Sequence, residues 1–152
     1  MRRIAVLIIV ALAVCSCGIS TPSDLYYWGG WTGTYTTAYE DKAYRNYKNQ
    51  SPESICNLIC VYEDMVNNPG GKRNVPPPGI CAEYAYLLLQ PDTARTFEQT
   101  ASDSQKKMFT GADYGALFRE KGASLFEMEM KNYPESALFI MPLIKKMTGR
   151  EE

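Results

Sequence analysis

Residues 51–71, SPESICNLICVYEDMVNNPGG, contain the signals of one complete α-helix and decide the fold class. Ser51 suits the N-cap, Pro52 suits the first helical position, and Glu53 complements the positive end of the helix dipole. The Asn-Asn-Pro-Gly-Gly run at 67–71 ends the helix. Large apolar residues share one face, which predicts a helix packed on a core: Ile55, Leu58, Ile59, Tyr62, Met65 and Val66.

The same helical periodicity continues on both sides of this helix. Tyr39, Ala43 and Tyr47 recur at every fourth position before it. Outside residues 32–37, no window shows the sustained alternation of a β-strand. The sequence therefore predicts an all-α fold of five or six helices, at residues 36–48, 51–67, 80–90, 92–108, 114–132 and 133–147.

Two segments have the spacing of tetratricopeptide repeats. Gly122, Phe126 and Pro134 follow the order of a second repeat helix: a small residue, an aromatic residue four later and a proline eight after that. Residues 84–89, YAYLLL, look like a first repeat helix, but the extra segment from 91 to 115 is too long for a repeat turn. We therefore predict a domain of helical hairpins resembling degenerate tetratricopeptide repeats at 51–148. An aromatic N-terminal arm with the first helix precedes it at 25–50, and a tail follows at 149–152.

The first residues have the pattern of a lipoprotein signal peptide. Arg2 and Arg3 precede an apolar run at 4–14, which is shorter than the about 20 residues that span a bilayer. Val14 three residues before Cys17 and Ser16 directly before it resemble a bacterial lipobox. We therefore expect a signal peptide at 1–16, covalent diacylglycerol on Cys17, and a lipidated tether at 17–24. The alternative is an ordinary secretory signal with incidental cysteines.

The same N-terminal residues predict a location in the cell envelope. Two or three acyl chains anchor a protein stably where one chain does not. Gly18 follows Cys17, and no Asp retention signal is present. By resemblance to the sorting rule of Gram-negative lipoproteins, this favours the outer membrane, with the domain facing the periplasm.

The charge and the amino-acid composition argue against several classes of function. A net charge of −1 gives no electrostatic argument for binding nucleic acid or an anionic membrane surface. The chain has no histidine, which removes the commonest general base and the commonest zinc ligand. Glu127 and Glu129, or Asp113 and Glu120, could supply two carboxylates for glycoside cleavage, but residues two apart on a helix point away from each other. We therefore predict a non-enzymatic protein without a metal, a cofactor or a small-molecule substrate.

Aromatic residues are the candidates for contacts with a partner. Residues 25–31, LYYWGGW, place four large aromatics around a Gly-Gly turn. They form a platform for a glycan or a peptide, an interfacial belt, or an arm packed into a groove of its own helical domain, and the last interpretation is favoured. The candidate contact residues are Tyr26, Tyr27, Trp28 and Trp31, together with Tyr84 and Tyr86.

Three cysteines follow Cys17, an odd number that leaves at least one thiol without an internal partner. Cys56 and Cys60 lie four apart on a helix, where β-carbons are about 5–6 Å apart, whereas a disulfide needs about 3.8 Å. A Cys60–Cys81 bridge between adjacent helices is easier to form. The alternative is three small buried thiols.

Nearly the whole mature chain resembles the bacterial lipoproteins of domain-of-unknown-function family 4810. The resemblance rests on the lipobox at Cys17, the YYWGG run at 26–30, the PPG that opens a helix at 77–79 and ends in LLL at 87–89, and the YPES run at 133–136. That family has no assigned reaction. Its members are often encoded beside a lipoprotein similar to the curli secretion channel and beside a second small lipoprotein.

The resemblance implies a part in an envelope assembly. We therefore expect a membrane-anchored, non-enzymatic interaction module whose partners are other envelope lipoproteins, including a curli-channel-like one. The alternative is a lipoprotein that binds glycan or peptidoglycan through its Tyr/Trp cluster.

Overall fold

A computed structural model describes residues 25–32, 36–111 and 113–148 of the chain. The predicted signal peptide, lipidated Cys17, tether and tail lie outside these residues. The predicted all-α class is confirmed. The described helices are α1 Ala38–Asn49, α2 Pro52–Asn67, α3 Ile80–Leu88, α4 Thr93–Thr100, α5 Asp103–Lys106, α6 Tyr114–Asn132 and α7 Ala137–Thr148, with a 3₁₀ turn at Pro134–Ser136.

Helix α2 begins and ends where its sequence signals predicted. The Ser51 hydroxyl accepts a hydrogen bond from the Ser54 N–H at 3.2 Å, and Pro52 occupies the first turn. The inward face of α2 forms part of one apolar core with α3, α4, α6 and α7. The most deeply buried side chains of this core include Ile59, Met65, Ile80, Phe97, Phe118 and Phe126.

The predicted continuous helix at 92–108 is wrong, because the chain leaves helical geometry at Ala101 (φ −62°, ψ 138°). Ser102 then starts α5 with a capping box, in which its N–H donates to the Gln105 side chain and its hydroxyl accepts from the Gln105 N–H. Asp92 makes no side-chain cap bond at the start of α4 and pairs with Arg95 instead. The Ser-x-x-Gln spacing at 102–105 was the local signal for this second start.

Helices α3 and α6 pack closely where a glycine replaces a side chain. Gly122 is buried in the middle of α6, and a Cβ built there would lie 2.7 Å from the Cγ of Leu89, at the end of α3. This contact is the physical reason for a small residue at the position whose spacing resembles a repeat helix.

Gly122→Ala is expected to lower the free energy of unfolding by about 1 kcal/mol. Replacing glycine by alanine inside a helix gains about 1 kcal/mol in helix propensity, but the steric overlap with Leu89 costs more than this gain. Urea denaturation measures the change, and the Leu89→Ala, Gly122→Ala pair should be less destabilised than the sum of the two single variants. A Gly122→Ala protein more stable than wild type would contradict the close contact.

Candidate interaction surface and the tyrosine–carboxylate network

The aromatic arm, residues 25–31, lies against α1 and α2. Its backbone is held by hydrogen bonds from the Ala38 N–H to the Gly30 carbonyl at 2.8 Å and from the Tyr39 N–H to the Trp28 carbonyl at 3.3 Å. Gly29 has a φ of +78°, and a Cβ there would lie 3.2 Å from both Ala38 and Val61. The turn therefore requires glycine for its backbone conformation and for its close approach to the domain.

Two aromatic side chains of the arm pack onto the domain. The Tyr27 hydroxyl donates to Asp64 at 2.7 Å, and this bond, with burial, raises the pKa of Tyr27 to about 12. The Trp28 ring lies 5.5 Å from the Tyr39 ring, measured between centroids. Both side chains are partly buried against the core. For these two residues the structure agrees with an arm packed into its own domain.

Trp31 is the exception, because 62% of its surface remains exposed. It lies beside a shallow cleft of about 240 Å³. The backbone on both sides of Trp31 is fixed, since Gly30 is bonded to Ala38 and Trp31 itself forms an isolated antiparallel bridge with Thr37. The cleft is lined by Tyr26, Tyr27, Trp28, Gly30, Trp31, Thr37 and Gly71.

A ladder of aromatic rings runs inward from the arm. Ring centroids are 5.5 Å apart for Trp28 and Tyr39, 5.9 Å for Tyr39 and Tyr62, and 5.4 Å for Tyr62 and Tyr84. Such distances are typical of favourable aromatic pairs. The ladder connects the arm, α1, α2 and α3, and it gives several of the eleven tyrosines a packing role.

The prediction that Tyr84 belongs to a contact surface is wrong, because its side chain is fully buried at the inner end of the ladder. Tyr86, two residues further along α3, points to the other side and is exposed. It lines a separate cleft with Asn46, Gln90 and other residues, none of which belongs to the arm. The structure therefore brings together Tyr26, Tyr27, Trp28 and Trp31 and leaves Tyr84 and Tyr86 apart from them.

Carboxylates accept hydrogen bonds from the tyrosine hydroxyl groups of the ladder. Tyr39 and Tyr62 both donate to the same oxygen of Glu83 at 2.8 Å, and Tyr84 donates to Glu63 at 2.7 Å. Burial raises the pKa of each of these three tyrosines far above its ordinary value, and the neighbouring carboxylates raise it further. The phenols therefore stay protonated and act as hydrogen-bond donors.

Glu63 is a buried carboxylate that joins three helices. Besides Tyr84 on α3, it accepts from Lys121 on α6 at 2.8 Å and from Asn67 on its own helix at 2.8 Å. A buried carboxylate needs such partners to offset the loss of hydration. No sequence pattern predicted this group, because Lys121 lies 58 residues from Glu63.

Glu129 is a second buried carboxylate, and it caps a helix from another part of the chain. It accepts from the backbone N–H groups of Gly79 at 2.7 Å and Cys81 at 3.2 Å, at the start of α3. Gly79 has no side chain with which to cap α3 itself. Burial raises the pKa of Glu129, while the backbone donors of Gly79, Cys81 and Ala82 oppose that rise. Glu127 and Glu129 are one of the two residue pairs that could have supplied carboxylates for glycoside cleavage. Glu127 is exposed on another face of α6.

The three described cysteines are free thiols, so the Cys60–Cys81 bridge is not formed. Their surroundings differ: the Cys60 thiol lies near Gln105 and Cys56, whereas the Cys81 thiol lies near Glu129. Burial raises the pKa of Cys60 to about 11 and that of Cys81 to about 12. Because the thiolate is the reactive form, these are small packed side chains with low reactivity.

Comparisons with known proteins add no relative. A scan against protein-family models, a search of curated proteins and a search of solved structures each found no match. Within residues 25–32, 36–111 and 113–148, no helix is both long enough and apolar enough to cross a membrane.

Proposed function

We propose that this chain is a membrane-anchored bacterial lipoprotein whose helical domain is a non-enzymatic protein-interaction and assembly module of the cell envelope. The lipobox that ends at Cys17 and the resemblance to family 4810 support the anchor, through diacylglycerol on Cys17. Gly18 directly after Cys17, in place of an Asp retention signal, supports the outer-membrane location facing the periplasm. The partners proposed on the same resemblance are other envelope lipoproteins, including one similar to the curli secretion channel.

The presentation of Trp31 is the observation that carries the interaction role. An exposed tryptophan on a backbone that is already fixed loses little conformational entropy on binding, and tryptophan is enriched among the residues that dominate binding energy. The cleft beside it, at about 240 Å³, is smaller than the about 300–1,000 Å³ of small-molecule sites. It matches one inserted side chain of a partner protein better than a substrate.

The glycan alternative has less support from the geometry of the arm. That alternative predicts two or more coplanar exposed rings with carboxylates nearby. Here Trp31 is largely exposed, whereas Trp28 is half-buried and the Tyr27 hydroxyl is already bonded to Asp64. We therefore favour a protein partner and keep cell-wall binding as an outcome of the test.

Trp31→Ala is expected to reduce the recovery of envelope lipoproteins with this protein at least tenfold, since a central tryptophan contributes about 2 kcal/mol or more to an interface. Recovery is measured by co-purification from detergent-solubilised membranes. Tyr47→Ala is the matched control, because Tyr47 is an aromatic residue of α1 that is 81% exposed and lies outside the arm. Both variants should unfold within about 0.5 kcal/mol of wild type.

Two further variants separate the anchor from the arm. Trp28→Ala is expected to lower stability by about 2 kcal/mol, because it removes a partly buried ring from the ladder. Cys17→Ala should abolish acylation. Unchanged recovery of the same lipoproteins with Trp31→Ala would contradict the proposed contact, and Trp31-dependent retention on purified peptidoglycan would favour the glycan alternative.

A further inference from the structure

Helix α7 exposes a run of large apolar side chains. Leu138 and Phe139 are each 79% exposed and Met141 is 51% exposed, whereas Ile140 between them is buried. On the inward side of the helix, Leu143, Ile144 and Met147 pack against the core. Single exposed apolar residues are ordinary on a protein surface, but a contiguous group of this kind marks a surface that is covered in the working protein.

The chain outside the structure enters the domain next to this helix. The Leu25 carbonyl, at the first described residue, accepts from the Arg73 N–H at 3.1 Å. The next side chain, Tyr26, lies near Tyr133, whose hydroxyl donates to the Pro76 carbonyl at 2.7 Å. Tyr133 directly precedes the 3₁₀ turn that leads into α7. The N-terminal tether therefore reaches the domain close to the beginning of α7.

The length of that tether limits how far the helix can lie from the membrane. Residues 18–24 connect Cys17 to Leu25. A fully extended segment of this length reaches at most about 25 Å. A lipid on Cys17 therefore holds this end of the domain near the bilayer, and any further contact with the same bilayer becomes intramolecular, so a small apolar surface suffices for it.

Basic residues lie in the loop beside the tether and in the last turn of α7, where they complement an anionic lipid surface. Lys72 and Arg73 are exposed in the loop that binds Leu25. Lys145 and Lys146 are exposed on α7, where Leu138, Met141 and Lys145 follow one face at three- and four-residue spacing. Glu135 is an exposed acidic residue in the 3₁₀ turn that leads into α7. Lysines flanking exposed apolar residues are typical of helices that lie in a membrane interface.

We propose that the exposed face of α7 lies on the surface of the anchoring membrane, with Leu138, Phe139 and Met141 at the boundary between head groups and acyl chains and the lysines at the lipid phosphates. This inference rests on the proposed anchor at Cys17. The anchor and the helix together fix one end of the domain against the bilayer. The net charge of −1 does not oppose this contact, because attraction to the surface depends on the cations nearest to it.

Photocrosslinking tests which surface covers α7. The lipidated full-length protein carries p-benzoylphenylalanine at position 139, or at position 47 as the control on another exposed aromatic site. In vesicles of phosphatidylethanolamine and phosphatidylglycerol, we expect about tenfold more phospholipid adduct at 139 than at 47, because the side chain at 139 leaves water for the acyl-chain boundary and the one at 47 does not. In vesicles of phosphatidylcholine alone the yield should fall several-fold, and an equal yield would remove the role assigned to the lysines.

The remaining outcomes overturn the inference in distinguishable ways. A crosslink between two copies would show that α7 is a dimer surface, and a crosslink to another protein in the intact envelope would show that it is a protein-binding surface. The mass of the N-terminal fragment reports acylation of Cys17 in the same sample. Acylated protein without a lipid adduct would overturn the membrane contact alone, whereas unacylated protein would overturn the anchor and this inference with it.

Discussion

Replacing Glu129 by alanine is expected to lower the free energy of unfolding by about 3 kcal/mol, one of the two largest effects that the structure predicts. Glu129 is only 2% exposed, and its two oxygens accept from Gly79 and Cys81 at the start of α3. Its removal leaves buried N–H groups without an acceptor and leaves a cavity between α3 and α6. Both effects destabilise the pair of helices at the centre of the domain.

Glu127→Ala is the matched control for this prediction, because Glu127 lies two residues away on the same helix and is exposed. Its replacement should change stability by no more than about 0.5 kcal/mol. Glu129→Gln keeps the shape and one acceptor, so we expect an intermediate loss. Urea denaturation at neutral pH measures all three, and equal losses for Glu129→Ala and Glu127→Ala would contradict the capping role.

The raised pKa of Glu129 also predicts a pH dependence with a defined sign. Burial is the largest cause of the rise, so the folded protein holds this proton more tightly than the unfolded chain. Between the unfolded pKa, about 4.3, and the higher folded pKa, the folded state binds more protons, and stability therefore falls as pH rises. Glu129→Gln should remove this part of the slope while leaving the contributions of the other carboxylates.

The sequence predicted the helices whose signals are local. Ser51 and Pro52 start α2, and α6 spans Tyr114–Asn132 as expected, because capping and periodicity act within a few residues. The orientation of α3 was not predictable in this way. Its residues are apolar on nearly every side, so periodicity could not show that Tyr84 points inward and Tyr86 outward.

The buried carboxylates were not predictable for a different reason. Glu129 accepts from Gly79, 50 residues earlier, and Glu63 pairs with Lys121, 58 residues later. Pairing at such distances is decided by how α2, α3 and α6 pack, and single-sequence patterns contain no record of it. The aromatic arm lies between these cases. Its Gly-Gly turn was visible in the sequence, whereas the difference between partly buried Trp28 and exposed Trp31 depends on the groove that receives the arm.

Replacing Lys121 by methionine is expected to lower the free energy of unfolding by about 3 kcal/mol. The methionine preserves most of the packing of the lysine stem but leaves Glu63 without its cation, and removing one partner of a buried pair typically costs about 3–5 kcal/mol. The hydrogen bonds from Tyr84 and Asn67 remain and bring the expected loss to the lower end of that range. Lys42→Met is the control and should cost under about 1 kcal/mol, since its partner Asp41 is 20% exposed, against 4% for Glu63, and keeps Arg45 as a second cation.

A double-mutant cycle separates the value of the pair from the cost of stranding the carboxylate. The Glu63→Gln, Lys121→Met protein has no unpaired charge at this site, so we expect it to be more stable than Lys121→Met alone by about 1–2 kcal/mol. That recovery would mean that Glu63 is ionised in the folded protein and that Lys121 holds α6 against α2 mainly by neutralising it. The opposite result is that the double variant is the least stable among Glu63→Gln, Lys121→Met and the double variant itself. In that case the introduced amide does not replace the carboxylate as acceptor for Tyr84, and the hydrogen bond from α3 contributes more to stability than the cation from α6.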